Sequence, residues 1–119
     1  MGKKTWSAFE CSVLAERSMK IKEQERLFIF GYEKGLKFIN ALKYNKIKQK
    51  DLKSEVPLYI LWSLGGPTAD FMLGRVFEVV TDSILKDVIK TGTKINSNEE
   101  QKIISQNKFF KQNCQLIGR

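Results

Sequence analysis

Residues 65–90 read GGPTADFMLGRVFEVVTDSILKDVIK, and this stretch decides the fold class. Gly65 and Gly66 suit the left-handed exit from one helix. Pro67 suits the first turn of the next, where its missing amide has no partner to lose. Phe71, Leu73, Val76, Phe77, Val80, Ile84 and Val88 then recur at the spacing that lines one side of an α-helix. Asp70 near the start and Lys86 and Lys90 near the end complement the helix dipole, and Gly92 is placed to close the segment. The pattern predicts a helix over 68–90 with those apolar side chains facing inward.

The same signals recur on both sides. Downstream, Ser97 and Glu100 have capping-box spacing, and Ile103, Ile104, Phe109 and Phe110 supply the apolar contacts of a helix ending near Asn113. Upstream, Pro57 precedes an apolar run over 58–64 carrying Tyr59 and Trp62, the most buried-looking stretch of the chain, with Asp51 a cap for a short turn before it. A longer helix reads over 22–44, where Phe28, Gly31, Tyr32, Gly35, Phe38, Ile39 and Leu42 form one face. Gly31 and Gly35, one turn apart, mark a site of close helix packing. The first helix reads over 7–19, capped by a Ser7–Glu10 box, with Trp6, Phe9, Val13 and Leu14 on its stripe. Amphipathic helices with short connections predict an all-α, compact bundle of about five helices in one domain, 1–119, with strand content near zero.

Two cysteines, Cys11 in the first helix and Cys114 after the last, are far apart in sequence. Buried reduced thiols are one reading. The other is a single disulfide joining the N-terminal helix to the C-terminal tail, which in the chain-entropy model closes a loop worth about 4.7 kcal/mol and implies an oxidising compartment. The opening Met1-Gly2-Lys3-Lys4-Thr5 has charge but no apolar run behind it. The expectation is therefore a periplasmic or secreted protein with its signal removed, the alternative being a cytoplasmic one. The longest apolar stretch, 56–64, is far short of the ~20 residues of a membrane span.

Chemistry is bounded by what the chain lacks. It contains no histidine, which rules out His-dependent triads and removes the commonest metal ligand. Two thiols without histidine do not make a zinc set, and no residues point to a cofactor. Glu78 and Asp82, four apart with Arg75 a turn before, are the carboxylates a hydrolase would need, but with no sign of a cleft they read first as an exposed helix face with an Arg75–Glu78 pair. Tyr59, Trp62, Phe71 and Phe77 read as core before they read as a ligand pocket.

The net charge is +8, concentrated in residues 1–53, with 13 basic against 6 acidic residues. Lys34, Lys37, Lys43, Tyr44, Lys46, Lys48 and Lys50 make the densest stretch, a basic region over 34–53. It suits an acidic protein or a nucleic acid, and it equally suits a solvated surface. With four arginines against seventeen lysines, bidentate base reading is disfavoured. The preferred expectation is a small, basic, non-enzymatic protein-binding module of bacterial type, inhibitor- or immunity-like. It would dock through this basic face or through the corner at Gly65, Gly66 and Thr68. Alternatives are a cytosolic nucleic-acid-binding protein and a structural subunit assembling through the Gly31/Gly35 surface.

Overall fold

The computed structural model describes residues 2–43 and 67–119. Its elements are α1 (Gly2–Arg17), α2 (Ile21–Lys43), α3 (Ala69–Ile89), a two-strand hairpin β1 (Lys90–Thr91) and β2 (Lys94–Ile95), α4 (Asn98–Lys111) and a 3-10 turn (Cys114–Leu116). Helix accounts for 81% of these residues, so the chain is all-α. The expected short helices before residue 65 lie outside the described residues.

Helix α1 is the centre of the bundle and packs against α2, α3 and α4, most extensively against α2. That position explains its composition. Gly2, Thr5, Ala8, Phe9, Cys11, Ser12, Val13, Leu14 and Ala15 are all buried, mostly small residues distributed round the helix, so no single apolar stripe marks it. The expected start at Ser7 is corrected here: the helix begins five residues earlier, Ser7 lies inside it, and Ser7 with Glu10 is not its cap. At the other end, Lys20 N–H donates to Ala15 O at 2.8 Å and Met19 N–H to Glu16 O at 3.2 Å, with Met19 left-handed at φ 64°. This is a Schellman ending with methionine where glycine is usual.

Helix α4 follows its local signals closely, whereas two readings of α3 are corrected. Pro67 lies outside the helix, ahead of its cap, and Gly92 lies in the hairpin turn three residues past Ile89 and does not close the helix. Thr68 caps α3 by accepting from Phe71 N–H at 3.1 Å, and Ser97 and Glu100 form the reciprocal box on α4. Glu100 is held down at about 2, chiefly by Lys94 and then by the Ser97 amide and hydroxyl. Between the two helices lies a single hairpin of two-residue strands, which keeps strand content among the described residues near zero as expected. Lys90 pairs with Ile95 and Thr91 with Lys94, around a turn in which Gly92 takes φ 64°. Asn96 fixes this hairpin to α3, donating from Nδ2 to Val88 O at 2.9 Å and to Thr91 Oγ1 at 3.0 Å.

The core has two neighbouring parts bridged by Phe77. One gathers Leu14, Leu27, Ile84, Val88 and Phe109 around the Cys11–Cys114 disulfide; the other gathers Phe9, Phe38, Ile39, Leu73, Val76 and Val80. Both bridged cysteines are buried, so the bridge fastens the tail to the central helix from inside. Several side chains expected to face inward do not: Phe28, Phe71, Ile103 and Phe110 are exposed, whereas Leu27, beside Phe28, is fully buried.

Candidate partner-docking surface

The two helix-packing glycines are inside the protein. A Cβ at Gly31 would stand 2.8 Å from the Phe9 ring and 3.2 Å from Ala8 Cβ, and one at Gly35 would stand 2.4 Å from Leu73 Cδ2. Helices α1 and α3 therefore occupy the Gly31/Gly35 face within the chain.

Lys34 and Lys37 lie on another side of α2. The ammonium of Lys34 sits 5.5 Å from the Phe30 ring centroid, and Phe30 also meets Gly118 of the tail, which runs back along this side. Lys37 is exposed. Lys43 ends α2, and its side chain lies outside the described residues, as do Tyr44, Lys46, Lys48, Lys50, Gly65 and Gly66. Thr68 is exposed and engaged as the cap of α3. Of the expected pocket, Tyr59 and Trp62 also lie outside the described residues, Phe71 is exposed, and Phe77 is half-buried. Glu78 and Asp82 are exposed on α3. A cleft of about 330 Å³ lies elsewhere, between the end of α1 and the start of α4, lined by Arg17, Met19, Glu99 and Lys102 among others. Among the described residues, no group of three or more metal-ligating side chains comes together.

The most distinctive surface is the seam between α2 and α3. Phe28 is 40% exposed, yet its ring stacks on Phe9 at 5.7 Å, meets Phe77 edge-on at 5.3 Å and lies near-parallel to Tyr32 at 6.4 Å. Edge-to-face and offset contacts of this kind hold rings in fixed orientations. The Tyr32 hydroxyl donates to Asp70 Oδ1, linking the two helices, and this bond to a carboxylate raises the phenol above its ordinary range. Gly74, one turn beyond Asp70, is exposed, and apart from its chain neighbours and its own helix backbone no described atom lies within 4 Å of the place its Cβ would take. Phe71, 52% exposed, stands near the start of α3, and Ile29, 47% exposed, stands beside Phe28 on α2. The result is a rigid aromatic floor with Asp70 and Glu78 spaced along one helix.

Sequence reasoning missed this seam because it assigned Phe28 and Phe71 to the core and did not single out Gly74. The one available signal was a glycine in mid-helix between Leu73 and Arg75, where no turn is called for. No family model, curated protein or solved structure matches the chain.

Proposed function

We propose that this protein is a non-enzymatic binding module acting outside the cytoplasm, in the periplasm or as a secreted protein, where it docks on a protein partner in the manner of an inhibitor or immunity protein. The observation that carries the reading is a helical body bridged internally by Cys11–Cys114 that still leaves the ordered rings of Phe28, Tyr32 and Phe77 accessible between α2 and α3. A bridge of this kind persists in oxidising compartments. Contiguous apolar surface of the kind these described residues leave exposed marks an interaction site.

The test is made on native protein from its source cells. Alkylation without reductant followed by intact mass should show no labelled cysteine, and cell fractionation should place the chain outside the cytoplasm. Crosslinking there should yield one stoichiometric protein complex that re-forms from purified components. Two labelled thiols in a cytoplasmic fraction would overturn the exported setting. Binding to nucleic acid alone, falling steeply with salt as phosphate contacts release counterions, would overturn the protein-binding reading.

A further inference from the structure

Gly74 has no reason within the described fold to be glycine. A glycine inside a helix weakens it relative to alanine. At Gly31 and Gly35 the cause is visible, because Phe9, Ala8 and Leu73 fill the space a side chain would need. At Gly74 no described residue fills that space, and the glycine is exposed. What glycine gives such a surface is close approach by another backbone.

The surroundings say what kind of backbone. On α3, Asp70 stands one turn before Gly74, Phe77 and Glu78 one turn after, and helical spacing puts all four on the same side. Across the seam Phe28 and Tyr32 extend the aromatic floor, and Ile29 adds exposed aliphatic surface. Arg75 projects about a quarter turn further round from Gly74. A chain of net charge +8 thus carries, on this side of α3, two exposed carboxylates around an apolar strip. Such a surface repels phosphate and anionic lipid and attracts cations, and aromatic faces add to the attraction.

We propose that the α2–α3 seam docks a basic amphipathic helix of a partner protein. Its apolar stripe lies on Phe28 and Phe77, and its backbone comes closest at Gly74. Two of its cations, two turns apart, meet Asp70 and Glu78. The spacing is set by the helix, since eight residues span about 12 Å and seven residues of a facing helix nearly match it. This rests on reading the chain as a protein-binding module.

The probe is a synthetic helical peptide with a leucine stripe and lysines seven residues apart, titrated into the disulfide-intact full chain and followed by amide and ring NMR shifts. A matched peptide with glutamate in place of lysine is the control. Shifts should gather at Tyr32, Gly74 and Phe77 with the lysine peptide and be at least tenfold weaker with the glutamate one. D70N with E78Q should weaken binding about tenfold, and Gly74→Leu should abolish it while the circular dichroism stays native. The seam is overturned by equal binding of both peptides, by no effect of D70N/E78Q, or by no shifts at millimolar peptide. Shifts centred on Lys34 and Lys37 would also overturn it while leaving the binding-module reading in place. Concentration-dependent shifts at the seam without peptide, lost in Gly74→Leu, would make a second copy of this chain the occupant and overturn the basic partner helix.

Discussion

The guanidinium of Arg26 in α2 donates from Nη2 to the carbonyl oxygen of Cys114 at 3.3 Å, so the residue bridged to α1 through its sulfur is held to α2 through its backbone. The same side chain donates from Nη1 to Ile117 O and pairs with Glu23, which in turn receives Arg119 Nη2 at 3.3 Å. Residues 114–119 are therefore fastened at three levels: a covalent bond, charge-assisted hydrogen bonds to carbonyls, and an ion pair at the terminus.

Glu23 makes this fastening sensitive to acid. The hydrogen bond from Arg26 is the main cause holding its carboxyl below the ordinary value, with Arg119 and Lys20 adding to it. A carboxyl depressed in the folded state contributes stability that is full above the unfolded value of about 4.5 and is lost as pH falls through the folded one. Amide exchange over 114–119 should accelerate as pH drops through this window, after correction for the intrinsic rate. Arg26→Met should cost about 1.5–3 kcal/mol, the range for hydrogen bonds involving a charged group, and should flatten that pH dependence. An unchanged pH profile in Arg26→Met would show that the tail does not depend on this pair.

The disulfide spans 103 residues, and both partners are buried. Cys11→Ala with Cys114→Ala should lower unfolding free energy by about 3–5 kcal/mol, most of the margin of a chain this size. Burial adds a kinetic expectation: dithiothreitol should reduce the bridge slowly under native conditions and quickly in urea, because attack needs an exposed sulfur. Rapid reduction of the native protein, read by alkylation and mass, would contradict the packing around Cys114.

Local chemistry was legible in the sequence; direction and assembly were not. The cap at Ser97 was readable because a cap is decided within four residues, whereas Pro67 drew attention away from Thr68, the residue that caps α3. The terminal bridge was readable from where the two cysteines fall among the helices. Ser7 misled because a polar residue near a predicted start looks like a cap, whereas burial of Gly2 and Thr5 among neighbouring helices carries α1 past it. Leu27 and Phe28 are adjacent and both apolar, and only the arrival of α1 decides that Leu27 goes in. The hairpin escaped because strands of two residues have no period to detect. The seam was hidden for a stronger reason: Tyr32 and Asp70 are 38 residues apart, and no local pattern announces their meeting.

Glu10 gives a prediction of opposite sign to Glu23. Removed from a cap and placed within α1, its carboxyl is raised by burial, against smaller opposing effects of a hydrogen bond from the Trp6 indole N–H and the charge of Lys108. A raised carboxyl favours the folded state when protonated, so its contribution is full below the ordinary value and is lost as pH rises through the folded one. Near pH 7 the ionised group therefore works against folding. Glu10→Gln keeps an acceptor for Trp6 and removes the charge. Its urea midpoint should exceed the parent's near pH 7, and the gap should close near pH 3. A lower midpoint near pH 7 would mean that Lys108 outweighs burial.

Gly31 and Gly74 should respond to the same substitution in opposite directions. Alanine in place of glycine inside a helix gains about 1 kcal/mol from the restricted unfolded chain and better helix propensity. At Gly74 nothing in the described structure opposes that gain, so Gly74→Ala should stabilise the free protein by about that amount. At Gly31 the new methyl would press on the Phe9 ring at 2.8 Å. Phe9 is itself buried and held by Phe28 and Phe77, so the ring has nowhere to move. Overpacking of this kind costs about 1–3 kcal/mol and outweighs the gain. Gly35→Ala should be milder than Gly31→Ala, because it meets the end of the flexible Leu73 side chain instead of an aromatic ring. Urea unfolding of the three variants ranks them directly. If Gly74→Ala were destabilising, the glycine would have an internal cause after all, and the reason for looking outside the fold at the α2–α3 seam would disappear.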